Sequence, residues 1–280
     1  MTFVYGYIKC RLGNQMFQYW VTKWIAEQLN RPMVVAFHEP VQLNNELYPN
    51  IGDVKVIQRL NLPPNSIPDQ GIYIGKTVYE QNTVDIDAII EKHRNSSLPI
   101  ILDYHYEDYS NIKPREEWIK NLYKRSEKFP LISNNSLVVH LRLGDIANEN
   151  IRIYDKYLEF TIKIAIEEQL PIIIVSEEIN HYCTTTMKEK LESYGLSVDI
   201  ANNTLEEYQK DFDIISSAKV IVASNSTFSW WATFLNPFNP KVYIALSDKQ
   251  PANFRNDFLF KRKSPESWNL WDMDTNSWLI

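Results

Sequence analysis

Two short stretches of this chain carry side chains that could hold a phosphorylated ligand. In LVVHLRLGDI, Leu137 to Ile146, an apolar run gives way to His140, Arg142 and Asp145. Strand alternation puts His140 and Arg142 on one face, with Val139 and Leu141 on the other. Arginine offers a planar fork of donors that matches phosphate oxygens, and histidine can donate or accept toward a base or a hydroxyl. The bland alternative is a surface pair between Arg142 and Asp145 at a strand end. In KVIVASNSTFSWWATFLN, Lys219 to Asn236, an apolar strand turns through Ser224, Asn225, Ser226 and Thr227 and continues as a helix bearing Phe228, Trp230, Trp231, Phe234 and Leu235. A helix start presents unpaired backbone N–H groups and a partial positive charge, which suits a phosphate. Ser226 and Thr227 would add hydroxyl donors, although Ser, Thr and Asn also make ordinary N-caps. In parallel α/β sheets ligands bind beyond the carboxyl ends of strands. A polar trio at one such end and a phosphate-ready turn after another favour a nucleotide site.

The surrounding pattern supplies the sheet that this reading needs. Strands are predicted over Leu137–Leu141, Ile172–Val175, Ser197–Ala201, Lys219–Ala223 and Val242–Leu246. Helices are predicted over Asp155–Glu168, Asn180–Ser193, Leu205–Ser216 and from Ser226 onward. Ile172–Val175 has four consecutive β-branched residues, as a strand buried on both faces should. Strict alternation of strand and helix implies a parallel sheet with right-handed crossovers. The tail, with Trp268, Trp271 and Trp278, is expected to pack back across this lobe.

The first half repeats the strand–turn–helix plan. Phe3–Ile8 reads as a strand and Asn14–Leu29 as a helix, with Met16, Trp20, Trp24 and Ile25 at helical spacing. Between them, Gly13 could take a positive φ and Asn14 could cap the helix. Arg11, Asn14 and Gln15 would then stand at the mouth of a cleft. Pro32–Phe37 is the second strand, Val84–Lys92 a short helix, Ile100–Asp103 a strand and Arg115–Lys128 a charged surface helix. His38–Ile72, interrupted by several prolines, reads as a loop-rich insertion of the kind that shapes a binding site. His105 lies among Tyr104, Tyr106 and Tyr109. The pattern breaks near Pro130 and Ser133-Asn134-Asn135, giving two α/β lobes, 1–130 and 131–280, with a cleft between them.

Composition narrows the function. The 280 residues are 44% apolar and 13% aromatic, enough for two real cores. A net charge of −6 with no basic tract argues against a general nucleic-acid binder. The 7 glycines leave little for Gly-rich phosphate loops. Cys10 and Cys183 have no metal-ligand spacing and make a poor disulfide framework, which fits a reducing compartment. No apolar run reaches the ~18 to 20 residues of a membrane span, and the start of the chain does not read as a signal. A soluble, cytoplasmic protein is expected.

Three separated motifs, RLGNQMFQY (Arg11 to Tyr19), HLRLGD (His140 to Asp145) and SNSTFSWWATFLN (Ser224 to Asn236), resemble the α-1,2-fucosyltransferases of glycosyltransferase family 11. The resemblance implies a GT-B enzyme with two Rossmann-like lobes facing a cleft. It implies transfer of fucose from GDP-β-L-fucose to the 2-hydroxyl of a galactose, with inversion and without metal or cofactor. It places Arg142 on the GDP phosphates, His140 at the donor site, and Ser226 and Thr227 near the β-phosphate, with Asn225 in the same GDP-fucose-binding set. By the same resemblance Asp211 reads guanine, with Asp213 a near competitor, and Asn14 faces the cleft. Asn14, Arg142 and Asp145 are the expected catalytic set. The family often has a second arginine where this chain has Leu143, and a glycine near Lys9 or Cys10.

Rival readings stay open at this level. Asp145, His38, Glu39 and His105 are all possible general bases for the acceptor hydroxyl. A metal-dependent GT-A enzyme would use an Asp-x-Asp triplet, and three exist: Asp85-Ile86-Asp87, Asp211-Phe212-Asp213 and Asp272-Met273-Asp274. None of them follows a predicted strand. Transfer to another acceptor or linkage, or sugar-nucleotide or carbohydrate binding without catalysis, are the remaining alternatives.

Overall fold

In a computed structural model, the structure describes residues 3–8, 12–37, 78–80, 85–103, 106, 109–123, 134–143, 154–203, 208–224, 226–246 and 264–279. The chain divides into two compact units, Met1–Glu127 and Lys128–Ile280.

The first unit holds a parallel four-stranded sheet in the order β2-β1-β4-β3, from β1 (Val4–Ile8), β2 (Met33–Phe37), β3 (Val78–Glu80) and β4 (Ile100–Leu102). Helix α1 (Leu12–Gln28) crosses β1 closely. A Cβ added at Gly6 would come within 2.5 Å of Thr22 Oγ1, so only glycine lets helix and strand approach this far. Ile25 and Val21 of α1 meet Val4, Ile100 and Leu102 and the apolar side of α2 (Ile86–His93) in one core. The short α3 (Tyr109–Ile112), a 3-10 turn at Lys113–Arg115 and α4 (Glu116–Leu122) close the unit.

Two expectations change here. α1 begins at Leu12, so Gly13 and Asn14 lie inside its first turn; neither is a turn or a cap residue. Arg115 is buried, where a surface position was expected. Its guanidinium meets Asp87 at 2.5 Å, donates to the Asn111 carbonyl at 2.8 Å and lies 5.1 Å from the Trp24 ring. An arginine can be buried when its charge is paired and its terminal nitrogens are hydrogen-bonded this way. The His38–Ile72 insertion lies outside the described residues, as does Cys10.

The second unit holds a seven-stranded sheet in the order β11-β10-β9-β8-β5-β6-β7. Its strands are β5 (Asn134–His140), β6 (Ile172–Val175), β7 (Val198–Ile200), β8 (Ala218–Ala223), β9 (Lys241–Leu246), β10 (Asn269–Asp272) and β11 (Ser277–Leu279). All neighbours are parallel except the β10–β11 edge pair. From β5 the chain runs outward through β6 and β7, then returns to the other side of β5 for β8, β9 and β10. That is the order of a dinucleotide-binding fold, with its topological switch point between β5 and β8. The tail thus adds two strands that the sequence reading lacked.

Period-two alternation separates the faces. Leu137, Val139, Val220, Val222, Ile172 and Ile174 point into a core built with α5 (Tyr154–Glu168) and α6 (Tyr182–Ser193), which also buries Cys183. Trp271 stacks on Phe160 there, with ring centroids 5.7 Å apart, and Trp278 approaches the same ring at 5.9 Å. Helices α7 (Tyr208–Ser217) and α8 (Thr227–Phe234) serve the opposite face. Among the described residues no helix is long and apolar enough to cross a membrane.

Candidate active site at the β5/β8 switch point

His140 is the last residue of β5 and is paired in register with Ala223, the last residue of β8. Both strands end here, and the two motifs of the second unit meet. His140 Nδ1 lies 2.8 Å from Ser224 Oγ, a buried contact between residues 84 positions apart. On the same face the His140 ring lies 5.9 Å from Phe228 of α8. Burial, reinforced by the Arg142 charge, pushes the His140 imidazolium pKa down to about 3. His140 is therefore neutral near pH 7 and acts as a hydrogen-bonding group, while the neighbouring charge is that of Arg142. Arg142 is half-buried between two buried leucines, Leu141 and Leu143. Leu143 is fully buried in the α5/α6 core, where a charge would be taken out of water.

Ser226, Ser229 and Asn236 of the α8 motif hold its backbone in place. Ser226 is the N-cap, with extended backbone, and its hydroxyl oxygen accepts from the Phe228 N–H at 3.3 Å. Capping uses the oxygen and leaves the hydroxyl proton to donate elsewhere. Ser229 Oγ donates back to the turn, with Ser226 O at 3.1 Å and Ser224 O at 3.3 Å. Thr227 opens the helix and is buried. Trp230, Trp231 and Phe234 anchor α8; Trp230 stacks on Phe234 at 5.0 Å and nears Trp268 at 5.8 Å. Asn236 closes the motif: its amide donates to Ala218 O at 2.9 Å and its Oδ1 accepts from Phe238 N–H at 2.8 Å. One end of the motif thus builds the turn, and the other fixes α8 to the start of β8.

Asp211 is in the first turn of α7, where its Oδ1 accepts from Asn203 Nδ2 at 2.7 Å just beyond β7. Its neighbour Phe212 meets Phe228 edge-on at 5.5 Å, and Phe228 in turn meets His140. The structure therefore brings His140, Ser224, Ser226, Thr227 and Asp211 to the carboxyl edge of one sheet, with Arg142 two residues beyond His140. Asn14 belongs to the first unit, in the first turn of α1. Asp145 and Asn225 lie outside the described residues, as do Arg11, His38, Glu39 and His105.

The carboxylates of two of the three Asp-x-Asp triplets have structural employment. Asp85 caps α2 by accepting from Ala88 N–H at 3.0 Å, and Asp87 pairs with Arg115. Asp272 does end a strand, β10, contrary to the reading above, but its Oδ1 accepts from Asp274 N–H at 2.8 Å, and Asp274 lies 3.5 Å from Lys156.

Sequence reasoning missed one residue here. The Tyr157 hydroxyl, fully buried on α5, lies 3.0 Å from the His140 carbonyl and 3.2 Å from the Val222 carbonyl. Nothing in the local pattern separates it from an ordinary core tyrosine.

A pH dependence follows from His140. Its pKa is lower in the folded state than the ordinary ~6.5, so below that pH the unfolded chain binds the proton preferentially. Its contribution to stability is full above about pH 6.5 and is lost as pH falls toward 3. Between pH 7 and pH 5 this amounts to roughly 2 kcal/mol. Urea unfolding at the two pH values should show that loss in the wild type and a much smaller one in His140→Gln; equal losses would contradict the assignment.

The profile of glycosyl transferase family 11 matches residues 124–269, which is over half of the 280-residue chain and includes the HLRLGD and SNSTFSWWATFLN motifs. The chain is 26% identical over 169 residues to the O-antigen biosynthesis glycosyltransferase WbnK of Escherichia coli, covering 56% of this chain and 50% of that protein. It thus spans about half the length of the curated relative it matches. In fold it is similar to a mutant of Arabidopsis thaliana FUT1 solved in complex with GDP. That match has a TM-score of 0.53 and 12% identity, and covers 99% of this chain and 78% of the other. The profile match, across the unit in which β5 and β8 bring the two motifs together, shows that the chain belongs to glycosyl transferase family 11.

Proposed function

We propose that this protein is an inverting, metal-independent fucosyltransferase, which moves L-fucose from GDP-β-L-fucose to the 2-hydroxyl of a terminal galactose in a glycan. The observation that carries the reading is the meeting of the His140–Arg142 strand end with the Ser224–Thr227 turn at the switch point. A diphosphate held there would meet a cation, hydroxyls and a helix N-terminus together. The GDP bound to the fold neighbour supports a nucleotide donor, and the O-antigen role in the relative's name supports a glycan acceptor.

In this reaction the bond from fucose C1 to the β-phosphate oxygen breaks as the acceptor oxygen bonds to C1 from the opposite face. The acceptor hydroxyl's proton passes to solvent water, so that the products are the fucosylated glycan, GDP and a proton. Negative charge builds on the departing β-phosphate, where Arg142, the first N–H groups of α8 and the Ser226 and Thr227 hydroxyls oppose it. Neutral His140 fixes the Ser224 side of the turn. Asp211 accepts from guanine N1–H and N2–H₂, a donor pair that adenine lacks. Asn225 completes the donor set, and Asn14 and Asp145 the catalytic set.

The test is incubation with GDP-fucose and EDTA over a panel of lactose, N-acetyllactosamine and Gal-β-1,3-GalNAc, with linkage read by NMR. The expected product carries fucose on O2 of galactose. Fucose on another hydroxyl would overturn the linkage, and loss of turnover in EDTA would overturn metal independence. Failure to consume GDP-fucose, with tight binding of another sugar nucleotide, would overturn the donor.

A further inference from the structure

We infer that Tyr157 is a positioning residue for the donor site, holding the ends of β5 and β8 in the spacing that lets His140 meet Ser224. Three observations carry this. First, the register between β5 and β8 ends at His140 and Ala223, so nothing beyond that pair fixes their separation through the ladder. Second, the Tyr157 hydroxyl reaches the main chain of both strands there, at 3.0 Å from His140 O and 3.2 Å from Val222 O. Third, these carbonyls belong to the residue that contacts Ser224 and to the residue two before Ser224. One phenol from α5 thus ties together the two main chains that lead into the HLRLGD motif and the Ser224 turn.

The hydroxyl has one proton for two carbonyls, so the bond is shared. Burial pushes its pKa well above the ordinary tyrosine range, which keeps that proton in place at working pH. Tyr157 lies on the α5 side of the sheet, in the α5/α6 core, whereas the His140 ring lies on the α8 side. It therefore acts through the backbone and does not touch the donor. A transition state stabilised by preorganised donors is sensitive to small displacements. Uniform donor binding is less so.

The deciding variant is Tyr157→Phe, which keeps the ring and removes the hydroxyl. Its two readouts are separable. In protein labelled with ¹⁵N-histidine, with the His140 resonances identified by His140→Gln, the His140 ring signals should shift while those of the other histidines stay. This arm needs no substrate and stands apart from the proposed function. The kinetic arm rests on that function: kcat for fucosyl transfer should fall about 10- to 100-fold with KM for GDP-fucose within about threefold. Unmoved His140 signals in a folded variant, or unchanged kcat in an active one, would overturn the inference. No transfer by the wild type, with the His140 signals shifted in Tyr157→Phe, would overturn the fucosyltransferase reading and leave the positioning role standing. If the variant does not fold, wild-type protein labelled at tyrosine Cζ decides: a Tyr157 signal that titrates with the exposed tyrosines overturns the inference, and one that stays protonated past them supports it.

Discussion

Replacing Arg142 with alanine should lower kcat for fucosyl transfer by about 10² to 10³-fold while leaving the protein folded. The size follows from the role. A preorganised donor that faces developing charge contributes about 3 to 4 kcal/mol of barrier lowering, and 1.36 kcal/mol is tenfold in rate. The fold should survive because the half-buried Arg142 follows the last residue of β5, and the core there is filled by its neighbours Leu141 and Leu143. Arg142→Lys keeps the charge but loses the planar fork, so it should recover only part of the activity. Steady-state kinetics with circular dichroism as the fold control decides this. An alanine variant within threefold of wild type would remove Arg142 from the phosphate site.

The second large effect concerns stability. Trp230→Ala removes a fully buried indole that stacks on Phe234, meets Trp231 edge-on at 5.1 Å and nears Trp268. Truncating a buried tryptophan typically costs about 3 to 5 kcal/mol. For a unit of this size that corresponds to a fall in Tm on the order of 10 °C. Activity should fall as well, below the melting range, because α8 loses the anchor that aims its N-terminus at the Ser224 turn. Trp230→Phe fills part of the space and should lose clearly less. Calorimetry on the two variants checks both statements; a Tm change under about 2 °C for Trp230→Ala would mean that α8 is held by other contacts.

The legible parts of this molecule were those whose cause is local. Four β-branched residues in a row placed β6 at Ile172–Val175 with no error at either end. The small polar run after β8 placed the helix start at Ser226, one residue before α8 begins, because helix starts are decided by the few residues around them. The switch-point site was readable because its two halves are both strand ends with polar residues beyond them.

What was missed depends on partners distant in sequence. β10 and β11 are short edge strands, and Trp271 and Trp278 read as tail packing until their pairing with β9 and each other is seen. Arg115 read as a surface charge because Asp87, which allows its burial, is 28 residues away. The helix start at Leu12 escaped because Gly13 and Asn14 are residues of turns and caps, and α1's packing on Gly6 overrides that preference. The burial of Leu143 depends likewise on α5 and α6, which follow it in the chain. Tyr157 is the clearest case: its hydroxyl matters only because β5 and β8 end side by side.

The most direct test of the account is a crystal structure with GDP bound. The β-phosphate oxygens should lie about 3 Å from the Arg142 guanidinium and from the first backbone N–H groups of α8, with guanine against the Asp211 carboxylate. Phosphates bound away from the ends of β5 and β8 would contradict it, whatever the enzyme's activity.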